Sequence, residues 1–537
     1  MSITEKISEN RYRIWYALCF FALGVIDQRK GSATGQTQMA FSNGVGLVIA
    51  AMLLPSVRME KFRQKVYLIW SIAAIPLVAA AGIWGWQNRI YKGQWVVGAL
   101  NVFVWSYLMI YAVRERKTLQ IKHRVRQPVF CLMTLMFLLM FLSRHEGILP
   151  LWMLLIFGGF LCIGVPEKRR EDFALGLMNG IILWFFVQQS VAFGFRPYDL
   201  NPRYRGLYKG VTPNGVFYML TYCAFLCKWI WARERKKRRP LVWFYFLMSA
   251  VSISFLLFTG GRSSLFGAAA ATILIYSLYD IVWKKSFGGW LRHGVLLCLL
   301  VVLTFPAVYG GIRYLPTILH HPVLFEGEYS ETGSVRSFDP WDSERYITFE
   351  KAVDANIGRI LDLLGIDLKK IRNRISANSW VLKVYACEPA APGSDPEHPY
   401  VPVDQNPNSF EVRKLIYQYY FERLNLEGHS IGDREFQFTA RVRLSHTHNL
   451  FLQMAFDYGV IVGALFLVLI LYCLWRLIRQ SLSLGVISGH WIFPAVFTAI
   501  LCYGLTELAL NDGMITWSLL YLGCCVAGMT DCREVKS

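Results

Sequence analysis

Apolar residues fall in long blocks along this chain, separated by short polar connections. A bilayer core about 30 Å thick takes about 20 residues of helix per crossing. Blocks of that kind lie near 12–26, 38–56, 66–87, 94–113, 127–142, 148–165, 173–194, 215–232, 241–259, 264–283, 294–312, 448–475, 491–509 and 514–530. They predict about fourteen transmembrane helices, the shortest being 12–26 and 127–142. Met1 to Arg13 is polar and no small-residue cleavage site follows the first block, so no cleavable signal peptide is expected.

One connection breaks the short-loop pattern. Residues 313–447 hold no apolar block able to span a membrane. Within them Trp341 to Leu364 reads as an amphipathic helix capped by Asp342 or Ser343. Tyr346, Phe349, Val353, Ile357, Ile360 and Leu364 recur there at helical spacing, and Gly365 stops the run. A second helix is expected from Asn408 or Ser409, with Val412, Leu415, Ile416 and Tyr419 on one face and Gly428 beyond its end. Six prolines between Pro389 and Pro407 exclude regular structure from the 389–407 stretch. A loop of this size is uncommon unless it has a function of its own.

The expected fold class is therefore an all-α polytopic membrane protein with one large, mainly helical extracytoplasmic loop domain. Its parts are a membrane region 1–312 of about 11 helices, the loop domain 313–447, and a second membrane region 448–537 of about 3.

Charge gives the orientation. The chain carries 56 Lys+Arg against 36 Asp+Glu, a net of +20. Such an excess suggests nucleic acid, but a mean hydropathy of +0.36 does not suit a soluble binder. Only 17% of the 537 residues are charged, against roughly 25% in soluble domains. No nucleic-acid partner is expected.

The basic residues collect in alternate connections: 58–65, 114–126, 168–170 and 233–239. By the positive-inside rule these and both termini are cytoplasmic, and 313–447 is outside. About 30 of the 56 basic residues lie on the cytoplasmic side with about 10 acids, whereas 313–447 holds 16 basic and 19 acidic residues. Eleven of the 12 cysteines lie in or beside apolar blocks and none forms a Cys-x-x-Cys pair, which reads as small buried side chains.

Three polar patches fall on the outer side. The first runs from Asn201 to Gly215 and carries Arg203, Arg205, Lys209 and Asn214. The second is Thr259-Gly-Gly-Arg-Ser-Ser264, with Arg262 between two apolar blocks. The third is Ser445-His-Thr-His-Asn-Leu450, which leads into the helix carrying Asp457. Planar guanidinium groups match phosphate oxygens bidentately, and an imidazole can take a proton from a hydroxyl near neutral pH. Together they describe transfer of a sugar from a lipid-linked diphosphate.

Plainer readings stand beside this one. Arg203 and Arg205 fit equally well as interfacial side chains reaching for water. Arg262 is costly between two spans unless paired or hydrated. His446 and His448, two apart, do not share a helix face, and no Cys or Glu is near in sequence, so no metal is expected. Asp457 reads as a polar-network partner. Trp84, Trp86 and Trp95 read as interface anchors.

At these residues the sequence resembles the bacterial O-antigen ligase and O-antigen (Wzy-type) polymerase family. The resemblance lies in His448-Asn449, nine residues and Gly459, followed by Val-Ile-Val-Gly463. Arg203-Tyr-Arg-Gly-Leu-Tyr208 with Pro213-Asn-Gly215 is similar to the family's outer-loop motif, and Thr259 to Leu265 to its Ser-Arg-x-x-x-Leu element. Arg413 ahead of Tyr417 resembles the Arg that opens its periplasmic helix.

The resemblance covers roughly 170–475 and implies an enzyme of surface polysaccharide biosynthesis in the cell envelope. It implies a glycosyltransferase in the inner or plasma membrane, using an undecaprenyl-diphosphate-linked glycan donor and a glycan, lipid or protein hydroxyl as acceptor. It implies no cofactor, metal or nucleotide-sugar. His448 becomes the candidate base, and Arg205, Arg262 and Arg413, with Arg203 beside them, the candidate diphosphate clamp. Asn449, Asp457 and Asn214 are the supporting residues. Acceptor choice is assigned to the proline-rich insertion at 389–407, which has no counterpart in the family pattern. A transporter or flippase for the same lipid-linked glycan is the alternative; it would be expected to show internal repeats, and no half-to-half similarity is visible.

Overall fold

The computed structural model describes residues 3–29, 35–88, 92–145, 147–195, 203–208, 211–319, 349–353, 409–434, 436–439, 442–444, 446–507 and 515–529. The 389–407 insertion, Lys209 and all of the expected 341–364 helix except the turn Phe349–Val353 lie outside them.

Helices dominate. In chain order they are α1 (Ile3–Arg29), α2 (Gly35–Leu53), α3 (Lys65–Asn88), α4 (Lys92–Arg114), α5 (Pro128–Leu142), α6 (Leu149–Ile163), α7 (Arg170–Phe195) and α8 (Val211–Glu234). Then follow α9 (Arg239–Thr259), α10 (Arg262–Trp283), α11 (Phe287–Ile318), α12 (Ser409–Glu422), α13 (Leu450–Tyr458), α14 (Val460–Leu484), α15 (Ile492–Gly504) and α16 (Ile515–Met529). The only sheet among the described residues is a short antiparallel hairpin, β1 (Phe436–Thr439) with β2 (Val442–Leu444), in which Phe436 faces Leu444.

Eight of these helices, α3, α4, α7 to α11 and α14, are long and apolar enough to cross a membrane. Apolar stretches in α2, α5, α6, α15 and α16 are shorter. On α3, Leu68, Ile69, Ile72, Ile75 and Leu77 are each more than half exposed. A face this apolar has no place in water and suits lipid.

The centre is the opposite. From Asn214 to Ala232 every residue of α8 is buried, with α7, α9, α10 and α15 packed around it. Close approach of α1 to α7 rests on Gly176-Leu-Met-Asn-Gly180. A Cβ at Gly176 would sit 2.4 Å from the Tyr16 Cβ, and one at Gly180 2.6 Å from the Ala17 carbonyl. Small residues four apart let two membrane helices touch backbone to backbone.

One expected block divides. The 448–475 run is two helices, α13 and α14, broken at Gly459 with φ +96°. The chain must bend there because the Leu426 carbonyl occupies the space of a side chain: a Cβ on Gly459 would lie 2.2 Å from it. Asp457 therefore ends a short helix and does not lie inside a continuous span.

The basic connections meet at one end of the helices. Arg13 pairs with Asp172, Arg235 with Glu171, Lys284 with Glu234, and Arg170 donates to the Met529 carbonyl. His490, in the turn before α15, is buried at this end, where desolvation and then the nearby Arg170 charge push its pKa down to about 4. In an unfolded chain a histidine titrates near ~6.5. As pH falls from ~6.5 towards 4, only the unfolded state takes the proton, so stability should drop by up to about 3 kcal/mol. Thermal unfolding across that range should show the loss, and His490→Asn should flatten it.

Candidate functional site

The opposite end gathers the three patches. Residues 203–208 form a turn seated on the end of α9, with the Tyr204 N–H donating to the Phe258 carbonyl at 2.8 Å. Asn214, buried at the start of α8, donates from Nδ2 to the Tyr204 carbonyl at 3.0 Å. Gly206 has φ +56° and packs against the Asn214 amide, so this asparagine holds the turn from beneath. Arg203 and Arg205 are exposed at its rim.

Gly260 ends α9 with φ +61°, and the Arg203 side chain lies across it: a Cβ there would be 3.1 Å from Arg203 Nε. Two residues on, Arg262 is the exposed first residue of α10. It stands at a helix end and not within the apolar interior, which removes most of the burial cost.

The third patch reaches the same level. Gly267 of α10 packs against the Ala499 carbonyl of α15, and Tyr279 near the end of α10 meets Trp491 just before α15, so the two helices run antiparallel. Moving five residues along each from this contact puts Arg262 level with Gly504. Asp27, near the end of α1, closes this end: its carboxylate accepts from the Ile515 N–H at 2.8 Å and from the Tyr208 hydroxyl at 3.5 Å.

His448 sits just before α13 in a left-handed conformation, φ +52°, which a side chain as bulky as histidine adopts at a cost. Asn449 caps α13, its Oδ1 accepting from the Phe451 and Leu452 N–H groups, both at 3.0 Å. Its Nδ2 donates to the Leu505 carbonyl at 3.0 Å and ties the cap to the end of α15.

There, Glu507 completes the arrangement. His448 Nδ1 is 3.0 Å from Glu507 Oε2, and Arg413 Nη2 is 3.2 Å from Glu507 Oε1. The Tyr417 hydroxyl, one turn beyond Arg413 on α12, donates to the His448 carbonyl at 3.3 Å. Burial pushes its phenol pKa up, so it stays protonated and a donor. The same side of α12 is pinned by Ile416 and Tyr420 packing with Phe456 of α13. Arg144 also pairs with Glu427, docking the chain after α12 onto the end of α5.

Because a carboxylate only accepts, the His448 proton is on Nδ1 and its Nε2 carries the lone pair. A neutral imidazole so oriented by a carboxylate can accept a proton at Nε2, and Arg413 shares the same carboxylate.

His448, Asn449 and Arg413 thus come together; Arg203, Arg205, Arg262 and Asn214 form a neighbouring cluster at the same end. Asp457 belongs to neither. It accepts from Gln453 Nε2 at 2.8 Å, and Gln453 Oε1 accepts from the Thr447 N–H, so Asp457 braces the His448 turn through one intermediary.

Sequence reasoning missed Glu507, although an acid at the rim of an apolar block is a signal in its own right. It also placed no carboxylate near His446 and His448. Those residues are not helical; their rings lie 4.1 Å apart, and Glu507 comes within reach of both.

No family model, curated protein or solved structure matches this chain. The site stands on its own geometry.

Proposed function

We propose that the chain is a glycosyltransferase of the O-antigen ligase/polymerase kind, acting on an undecaprenyl-diphosphate-linked glycan at the outer face of the cytoplasmic membrane. In this reading it has about fourteen spans, both termini in the cytoplasm and 313–447 outside, the two cationic ends of the molecule facing different compartments. The observation that carries the proposal is the His448–Glu507–Arg413 constellation, level with Arg262 and close to the turn that bears Arg203 and Arg205.

The chemistry follows from the tautomer. A glycan, lipid or protein hydroxyl gives its proton to His448 Nε2 while its oxygen bonds to the anomeric carbon. The bond from that carbon to the diphosphate oxygen breaks, and the diphosphate leaves with the electron pair. Guanidinium groups hold the growing negative charge of the leaving group. Glu507 fixes the imidazole and balances the imidazolium that forms. No metal takes part.

The test is purified protein in lipid nanodiscs with a lipid-diphosphate glycan and an acceptor. Free undecaprenyl diphosphate should appear with the glycosylated product, and Glu507→Gln should lower the rate by about 10²-fold. In proteoliposomes, movement of the donor across the bilayer without its cleavage would make the protein a transporter instead.

A further inference from the structure

The geometry points to a second use of the same side chains: a divalent transition-metal site formed by His446, His448 and Glu507, whose occupation switches the base off. One ligand atom from each residue lies within 4.8 Å of the others, and all three side chains are partly buried. Two imidazoles and one carboxylate with an open fourth position is a ligand set that zinc accepts.

The distances need little change. A tetrahedral ion with bonds of about 2.0–2.1 Å separates its ligands by roughly 3.4 Å. His448 Nδ1 and Glu507 Oε2 already stand 3.0 Å apart. Only His446 must close in, by up to about 1.4 Å, and its ring is already against that of His448. The carboxylate does not have to choose between partners, since Arg413 holds Oε1 and leaves Oε2 to the ion.

Inhibition follows from the proton count on one ring. A neutral imidazole carries a single N–H, which sits on Nδ1 when Glu507 is its partner. A metal bound at Nδ1 displaces that proton to Nε2 without net release. Nε2 then becomes a donor and has no lone pair for the acceptor hydroxyl. His446 has no part in the proton transfer, so it separates the two uses of the site.

The experiment uses the full chain, freed of any affinity tag and treated with chelator, then titrated with Co2+ and followed by the visible absorption of the bound ion. Wild type should take up one Co2+ that Zn2+ displaces. His446→Ala should bind at least about 100-fold more weakly, with an unchanged elution profile and melting temperature. The inhibitory role rests on the transferase reading: Zn2+ should stop transfer by wild type and leave His446→Ala running at its metal-free rate. A wild type that binds no Co2+, or binds it as tightly after His446→Ala, overturns the site. Binding without inhibition overturns the switch. Binding by a protein that transfers no glycan leaves the metal site standing and refutes the transferase reading alone.

Discussion

Replacing His448 by alanine should reduce glycan transfer by about 10²–10⁴-fold, the usual worth of a positioned general base. The protein should still fold. Asn449, not His448, caps α13, and Tyr417 reaches the backbone carbonyl of residue 448 rather than its ring. The left-handed backbone at this position is the one complication, because alanine tolerates φ +52° poorly. His448→Asn removes it, since asparagine adopts that conformation readily but offers no basic nitrogen. Both variants should insert, elute as wild type does and release almost no undecaprenyl diphosphate. Wild-type product from His448→Asn would remove the residue from the mechanism.

The largest structural effect is expected at Gly459. Alanine there must adopt φ +96° and place a Cβ 2.2 Å from the Leu426 carbonyl, with the Gly428 N–H 3.3 Å away. The crowding is mutual, for a Cβ on Gly428 would meet the Asp457 carbonyl at 2.3 Å. These contacts are backbone, so nothing can rotate aside. Strained conformation and clash together should cost about 3 kcal/mol or more. The consequence reaches the site, because this break sets where α13 ends and how it is angled to α14, and α13 carries His448 at its other end. Gly459→Ala should lower the melting temperature and expose 424–430 to protease. Gly82→Ala on α3, where a Cβ meets nothing within 4 Å, should change stability by no more than about 1 kcal/mol. Equal melting of the two variants would show that the close approach is not tight.

The cost of an unpaired polar group in lipid explains what was readable in advance. Apolar blocks predict helices because a lipid-exposed backbone must satisfy its own hydrogen bonds. The start of α12 at Ser409 was readable for a similar reason, as a polar cap precedes an amphipathic repeat. His448 and Arg262 also stood out, since polar and charged groups beside apolar blocks are rare and expensive, whereas Arg413 was found through the resemblance alone.

Three features were hidden. The bend at Gly459 lies inside an apolar run, where hydropathy is blind to a backbone carbonyl arriving from residue 426. Asp27 ends an apolar block with no local sign of its partners at Tyr208 and Ile515. Glu507 is 59 positions from His448, and only the return of the chain along α14 and α15 brings them together.

Hydropathy and charge along the chain thus determined the kind of solvent, the helical class and the basic end of the molecule. Each of those is a one-dimensional property, set by what a segment can tolerate around it. The tertiary structure decided which acid orients His448, which cation shares that acid, and that His446 joins them. Such facts depend on close contacts between segments distant in sequence, and packing of α10 on α15 and of α12 on α13 supplies them.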